Sequence, residues 1–247
     1  RTDAEKSPVN LIGHNPNTER PRIVAFGGGK GGTGRSTMCA EIARSLARQG
    51  QRILCVDASY TCPTLNAFLN APEPTFDLLD DVIPLGEEDS HLADFIQETG
   101  IRNIWLVSLA STRQYPFVRP RLQADLFIAQ LQQLDFDIIL LDLPPELDPF
   151  SVGLFTLSDV PMIVCTHEPA AVRMATQYLR SALFQALATT ASQRHPRETV
   201  FDFLYEQPLQ LNLDTLAEAL EQTPELSGAL EETLISFQVY LIINLVR

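Results

Sequence analysis

Short apolar segments alternate with amphipathic stretches along most of the chain, a pattern typical of strands alternating with helices. It predicts strands at Arg22–Phe26, Arg52–Asp57, Asn103–Ser108, Asp137–Asp142, Pro161–Thr166 and Val239–Asn244. Between them it predicts helices over Ser36–Gln49, Arg119–Leu134 and Pro169–Ser192. Because the strands are apolar at nearly every position, both of their faces should be buried. We therefore expect an α/β fold, a mostly parallel sheet with helices on both faces in three layers.

Two segments differ in composition from this α/β pattern. Residues 1–21 are polar and show no periodicity, so we predict a flexible leader followed by a single domain over residues 22–247. Residues 195–237 are rich in Leu and Glu and predict a helical insertion before the last strand, with helices at Glu198–Tyr205, Asp214–Glu221 and Ala229–Phe237. Whether the insertion is a helical cap or a partner surface stays open.

Charge and hydropathy restrict the class of protein. The 247 residues carry a formal net charge of −13, which argues against broad nucleic-acid binding because such binding requires a basic surface. Apolar runs such as Ile138–Leu141 and Leu241–Ile243 are far shorter than the ~20 residues of a membrane-spanning helix. No signal peptide occurs in the sequence, so we expect a cytoplasmic location.

The strongest chemical signal is the segment GGGKGGTGRST at residues 27–37, between the first strand and the first helix. Glycines allow positive φ and a close approach of backbone N–H groups to an anion, and a helix start adds unpaired donors. In the pattern G-x-x-x-x-G-K-[ST], Gly29, Gly34 and Ser36 occupy their positions, and Arg35 replaces the lysine. The segment predicts a phosphate-binding loop.

The K-G-G-x-G-x-[ST]-T arrangement that begins at Lys30 resembles the deviant Walker A motif of the MinD/ParA/Mrp family of P-loop ATPases. The similarity extends over residues 22–247, where DIILLDLPPE at 137–146 looks like the Walker B strand and switch II. The pattern is most similar to the MinD/FlhG branch. The resemblance implies a P-loop NTPase fold, ATP and Mg²⁺ as ligands, and an ATP-dependent homodimer that acts in flagellar, division-site or cargo positioning.

The resemblance also implies roles for the matching residues. Lys30 would cross a dimer interface to the partner's phosphates, and Asn244 would face the adenine. Ser36 and Asp142 would hold Mg²⁺, and Thr37 would contact the α-phosphate. The catalytic candidates are Lys30, Asp57 and Asp142, and the cofactor-binding candidates are Gly29, Gly31, Gly32, Thr33, Gly34, Arg35, Ser36, Thr37 and Asn244.

Three departures from the family pattern concern hydrolysis. Arg35 has a bulkier, planar head group than the usual lysine. Ser59 stands where the family places an aspartate that orients the attacking water, and Glu146 stands where switch II usually carries glycine. We therefore predict that ATP binding is retained and hydrolysis is slow, with Asp57 or Asp148 as alternative groups for orienting water.

Other interpretations stay open. A non-catalytic pseudo-ATPase would use the fold as a scaffold and recruit partners through residues 195–236. A dinucleotide enzyme is the third interpretation, because Gly27, Gly29 and Gly32 match G-x-G-x-x-G and Asp57 follows near the distance expected for a ribose-binding acid. The sequence does not identify the protein partner. Peripheral attachment to the inner membrane would require a segment beyond Arg247.

Overall fold

The computed structural model describes residues 20–60, 63–73, 92–109, 123–192 and 224–245. The strands in this part of the chain form one sheet of seven in the order β3-β4-β2-β5-β1-β6-β7. They are β1 Arg22–Gly27, β2 Ile53–Asp57, β3 Gln97–Glu98, β4 Ile104–Ser108, β5 Ile138–Asp142, β6 Val160–Cys165 and β7 Tyr240–Ile243. Every neighbouring pair is parallel except β3 and β4. The predicted mostly parallel α/β fold is confirmed.

Helices connect these strands. The α-helices in the described residues are α1 Arg35–Arg48, α2 Leu65–Leu69, α3 Ala124–Leu131, α4 Pro149–Leu157, α5 Pro169–Ser192 and α6 Pro224–Ser236, and a 3₁₀ turn spans Leu92–Phe95. The prediction for α5 agrees with the structure at its start and throughout the described residues, which stop at Ser192, and that for α1 was one residue late at each end. The predicted start of α3 at Arg119 was wrong, because Gln123 is extended and α3 begins after it. The last helix already includes the five residues before the predicted start at Ala229, and the described residues resume at Pro224.

Two short helices and one short strand were not predicted. Helix α4 follows the segment interpreted as switch II, and its sequence signal was present in Asp148-Pro149. The Asp148 carboxylate caps the helix by accepting hydrogen bonds from the backbone N–H groups of Phe150 and Ser151, both at 3.1 Å. Proline suits the first helical position because its missing N–H would have no partner there. Helix α2 and strand β3 are too short for periodicity to reveal them.

Both faces of the sheet are buried along β1, β2, β5 and β6, as their apolar residues predicted, whereas the expectation was wrong for β7, where Leu241 and Ile243 are 62% and 56% exposed. Residues of β1 alternate between the two layers: Val24 and Phe26 pack on the side of α1, whereas Ile23 and Ala25 pack on the side of α3, α4 and α5. The cysteines in the described residues are free and buried. No helix in the described part of the chain is long and apolar enough to cross a bilayer.

The predicted boundaries of the leader and the insertion are only partly within the described residues. Arg20, assigned to the leader, forms an ion pair with Asp159 at 2.7 Å, and Pro21 is buried beside β1, so these two residues are attached to the core. Residues 1–19 and 193–223 lie outside the described residues, including two of the predicted insertion helices. The third is α6, which packs against α5. The division into leader and single domain stays a prediction.

The topology brings chemically important residues to one edge of the sheet. Asp57 and Asp142 end β2 and β5 and are register partners, and Phe26 of β1 is also a register partner of Asp142. Because β1, β2, β5 and β6 are parallel, their carboxyl ends share this edge, which is where open α/β sheets bind ligands.

The cap of α4 gives a test of this part of the fold. We expect Asp148→Ala to lower the free energy of unfolding by about 1 kcal/mol, because two backbone N–H groups lose their acceptor. Asp148→Asn keeps a capping oxygen and serves as the matched control, with a smaller effect. Urea unfolding measures both variants, and equal losses in the two would contradict the capping role.

Candidate functional site

The base of the glycine loop between β1 and α1 is held against neighbouring backbone. A Cβ at Gly28, where φ is +144°, would lie 2.6 Å from the Val164 carbonyl oxygen of β6. A Cβ at Gly29 would lie 2.6 Å from the Met174 carbonyl oxygen of α5. Real Cβ atoms do not approach backbone oxygens this closely, so only glycine allows the loop to lie in this position.

The outer part of the loop, in contrast, faces open space. A Cβ added at Gly31 or Gly32 would meet no atom within 4 Å. Gly32 and Gly34 have φ of 78° and 89°, which turn the backbone into the first turn of α1. The loop therefore combines a fixed base with an unfilled outer surface, as an anion-binding loop requires.

The amino end of α1 opens directly from this loop. Gly34 is its N-cap residue and provides no side-chain acceptor, and the first turn contains no acidic residue. The first N–H groups of a helix lack intrahelical acceptors, and the helix dipole is positive at this end. An anion on the loop would meet these donors without competition from a carboxylate in that turn.

Arg35, at the lysine position of the loop motif, is buried with only 9% of its surface exposed. Its Nη1 donates hydrogen bonds to the carbonyl oxygens of Gly28 at 2.6 Å and Lys30 at 3.3 Å. Burial lowers the pKa of the guanidinium, and the charge of Asp142 opposes that shift. The Arg35 head group thus joins two parts of the loop from within.

Ser36, Thr64 and Asp142 form a chain of polar groups beside the loop. The Thr64 hydroxyl donates to Ser36 Oγ at 3.1 Å, and the Ser36 side chain acts on the Asp142 carboxyl, whose pKa it lowers. Asp142 Oδ1 is buried and accepts no hydrogen bond. A buried acceptor without a partner is costly unless a ligand completes it.

This oxygen set fits Mg²⁺. Mg²⁺ prefers oxygen ligands and is commonly held by one or two carboxylates together with substrate phosphates. Ser36 Oγ and the free Asp142 Oδ1 supply two such oxygens at the mouth of the loop. No group of three or more His, Cys, Asp or Glu side chains with metal-binding geometry occurs among the described residues.

Asp142 also has a perturbed titration. Its pKa is raised to about 7, first by burial and then by the neighbouring charge of Asp57. Hydrogen bonding by Ser36 and the charge of Arg35 oppose this rise. A bound cation would favour the ionised form, so metal binding and proton release at Asp142 are linked.

Asp57, predicted as a catalytic candidate, is fully buried and engaged with backbone. Its Oδ1 accepts from the N–H of Ser59 at 3.0 Å, and its Oδ2 accepts from Thr64 and Leu65 at 2.7 and 3.0 Å. Asp57 therefore holds the start of α2, and with it Thr64, against the site. These bonds favour a positioning role over activation of water or binding of a ribose, and the catalytic assignment stays a prediction.

Lys30 lies on the open side of the loop. Its ammonium forms an ion pair with Glu168, which lies just after β6. The hydrogen bond from Lys30, and then its charge, lower the pKa of the exposed Glu168 carboxyl. Sequence reasoning missed Glu168, which lies two residues after the predicted strand Pro161–Thr166.

Asn244 connects the last strand to the loop. Its backbone N–H donates to the Cys165 carbonyl oxygen at 2.8 Å, and its Nδ2 donates to the Thr33 carbonyl oxygen at 3.0 Å. The predicted contact with adenine is not tested by this arrangement, which shows Asn244 supporting the loop. Thr37 is exposed in the first turn of α1, and Thr33 is buried.

Tyr178 is the second site residue that sequence reasoning missed. It lies on α5, is fully buried, and its ring would contact a Cβ added at Gly27 at 2.8 Å. Its hydroxyl has no hydrogen-bond partner, and the nearby charge of Arg35 acts on it. Nothing in the local sequence of α5 marks this tyrosine as lying beneath the loop.

Comparison with known proteins identifies the family of this fold and loop. Residues 21–189 match the profile of an AAA domain family. The chain is a member of the MinD/ParA P-loop ATPase family. The resemblance noted in the sequence is thereby confirmed.

Two relatives share part of the chain. The putative septum site-determining protein MinD of Oltmannsiellopsis viridis is 29% identical over 176 residues, which cover 69% of this chain and 52% of that protein. The septum site-determining protein MinD of Synechocystis is 26% identical over 158 residues, which cover 64% of this chain and 58% of that protein. The chain thus matches about half the length of these MinD relatives.

Solved structures show the same fold. The MinD of Pyrococcus horikoshii, complexed with Mg-ADP, superposes with a TM-score of 0.55 at 20% identity, covering 86% of this chain and 94% of that one. A plasmid partition protein of Borrelia burgdorferi superposes with a TM-score of 0.52 at 17% identity, covering 89% and 100%.

The raised pKa of Asp142 predicts the pH dependence of stability in the metal-free protein. Between the unfolded pKa near 4 and the folded pKa of about 7, the folded state holds the proton more tightly, so stability falls as pH rises. We expect Asp142→Asn to remove this part of the decrease in the free energy of unfolding, and to be more stable than the parent at pH 8.

Urea unfolding in EDTA at pH 5 to 8 measures the effect. Asp94→Asn, which changes an exposed carboxylate in the 3₁₀ turn, is the charge-matched control. If the free energies of unfolding of the parent and of Asp142→Asn change in parallel with pH, Asp142 does not titrate in this range.

Proposed function

We propose that the protein is an ATP- and Mg²⁺-binding molecular switch of the MinD/ParA type that acts in spatial positioning. One observation carries the proposal: the open glycine loop and the uncapped start of α1 lie beside Ser36 and a buried, unpaired oxygen of Asp142. This combination suits a triphosphate and its metal. The septum site-determining MinD proteins among its relatives support the positioning role.

The chain's own residues would divide the work as follows. The N–H groups from Gly31 to Ser36 donate to phosphate oxygens, and the open space at Gly31 and Gly32 admits them. Ser36 Oγ and Asp142 Oδ1 hold Mg²⁺, which neutralises phosphate charge when bound. Thr64, held by Asp57, orients the Ser36 hydroxyl.

Slow hydrolysis is part of the proposal. Ser59 carries no charge at the position where the family has an aspartate, and its N–H is bonded to Asp57. The two alternatives named for orienting water are engaged elsewhere: Asp57 binds three backbone N–H groups, and Asp148 caps α4. A carboxylate already committed to backbone donors is a poor acceptor for a water proton.

The ATP-dependent homodimer depends on Lys30. In this chain Lys30 is exposed enough to exchange partners, since 35% of its side-chain surface is exposed to solvent. The exposed fraction of the Glu168 side chain is 56%. Exposed ion pairs contribute little to stability, so breaking this one for a phosphate of a second subunit costs little. We propose that Lys30 moves from Glu168 to that phosphate when the dimer forms.

A location in the cytoplasm, with peripheral attachment to the inner membrane through a segment beyond Arg247 as the alternative, belongs to the same proposal.

Calorimetry of the full chain with Mg²⁺ and a non-hydrolysable ATP analogue tests nucleotide binding. We expect saturable binding that weakens about tenfold or more in Ser36→Ala, since a charge-assisted contact worth ~1.5–3 kcal/mol is lost. Ser45→Ala, further along α1, is the control and should bind like the parent. Absence of binding by the parent, or equal losses of affinity in both variants, would contradict the proposal.

Phosphate release measures the catalytic part. We expect a slow rate in the parent that falls in Asp142→Ala and rises in Arg35→Lys/Ser59→Asp, because the second variant restores the family's lysine and water-orienting carboxylate. Arg35→Lys/Ser59→Asn, which lacks that negative charge, is the matched control. If the parent binds ATP but releases no phosphate above the Asp142→Ala background, the pseudo-ATPase scaffold is the correct function.

A further inference from the structure

A second cavity lies on the side of the molecule opposite the glycine loop. Its volume is about 660 Å³, which falls within the ~300–1,000 Å³ usual for small-molecule sites. Its walls include Gly50, which follows α1 and precedes β2, and Asn103, which precedes β4. Because β2 and β4 are parallel, the cavity is at their amino ends, whereas the glycine loop is at the carboxyl edge of the sheet.

Three segments of chain meet at this cavity and are bonded to one another. The Asn103 side-chain amide donates to the Ala47 carbonyl oxygen at the end of α1, at 3.4 Å. The Gly100 N–H donates to the Asn70 carbonyl oxygen at the end of α2, at 3.1 Å. Asn70 and Asn103 have φ of 52° and 64° and are the non-glycine residues with positive φ in the described chain. The walls are therefore set by backbone contacts between separate elements.

The cavity is basic in an acidic protein. The chain has 31 acidic and 18 basic residues, yet the cavity is lined by Arg44, Arg48 and Arg102 and by no acidic side chain. Arg44 is partly neutralised, since it pairs with Glu41 and donates to the Phe68 carbonyl oxygen. Within the described residues, the guanidinium groups of Arg48 and Arg102 form no hydrogen bond or ion pair.

Two unpaired guanidinium groups at one concave surface focus a positive potential. Arginine binds phosphate in a bidentate manner through its planar fork of N–H donors, and a phosphate group carries a charge close to −2 that matches two such groups. Ile101 adds an apolar part to the wall. Apolar surface with a few polar groups is the usual composition of sites for small organic ligands.

We propose that this cavity is a second ligand site that binds a small phosphate-bearing anion through Arg48 and Arg102. Arg44, which is held in place by Glu41 and the Phe68 carbonyl oxygen, is the third arginine of the site. The same phosphate chemistry is offered by free diphosphate and by a mononucleotide. The proposal does not depend on nucleotide binding at the glycine loop.

The test uses the full chain with the glycine loop blocked. Gly31→Glu places a carboxylate in the open part of the loop, at a position with space for a side chain and no positive φ. In this background and in EDTA, we expect diphosphate to bind saturably by calorimetry. We also expect its addition to shift the backbone amide NMR signals of Gly50, Gly100 and Asn103.

Arginine variants in the same background locate the binding. Arg48→Gln/Arg102→Gln should weaken diphosphate binding at least about tenfold, because charge-assisted bonds are lost. Arg180→Gln, on α5, is the control for loss of an arginine elsewhere and should leave binding unchanged. Adenosine monophosphate is the second probe: tighter binding than diphosphate identifies a mononucleotide as the ligand, and weaker binding identifies free diphosphate.

Several results would overturn the proposal. These are the absence of saturable binding for both probes, equal losses in the Arg180→Gln control, and amide shifts confined to the glycine loop. Binding of a poly-glutamate peptide without binding of either phosphate probe would assign the surface to an acidic protein instead. If Arg48→Gln/Arg102→Gln does not fold, the amide shifts in the Gly31→Glu protein decide the question.

Discussion

The position of β1 between β5 and β6 is the constraint on which the candidate site depends. Its register places Phe26 beside Asp142 and Gly27 beside Ile163, so the glycine loop leaves the sheet between the Asp142 carboxylate and the end of β6. The loop base then meets backbone oxygens of β6 and α5 that no Cβ could approach. The direction of α1, the location of Ser36 and the open outer surface of the loop all follow from this placement.

The two aspartates at the carboxyl edge show how neighbouring groups of the same type acquire different roles. They are register partners, and burial raises the pKa of each. Asp57 accepts three backbone hydrogen bonds, which oppose that rise and fix the start of α2. Asp142 keeps one oxygen without a partner. The first therefore supports structure, and the second is the group suited to a cation.

The sequence predicted the parts of the fold that have long or strongly patterned signals. The buried strands and α5 were found because apolar residues recur at nearly every strand position and at helical spacing over 24 residues. The glycine loop was predicted because the close contacts at its base require glycine, and so many glycines in one short segment are visible in the sequence. Helix α4 was missed despite its Asp148 cap and Pro149, because nine residues give little periodicity.

Contacts between distant segments were beyond sequence reasoning. The Lys30–Glu168 ion pair joins residues 138 apart, and the Asn244–Thr33 hydrogen bond joins residues 211 apart. Neither residue type nor spacing marks such pairs. Tyr178 beneath the loop and the three arginines around the second cavity belong to the same class, since folding alone brings them together.

The hydrogen bonds of Arg35 have a consequence for the energetics of ligand capture. The guanidinium fixes the carbonyl oxygens of Gly28 and Lys30 by hydrogen bonds within the loop. Loop segments that become ordered only on association lose conformational entropy at that moment, and this loss weakens affinity. Here much of that ordering is completed while the protein folds. An arriving anion therefore meets a loop that is already ordered. The entropic cost of ordering the loop falls on folding and not on ligand binding.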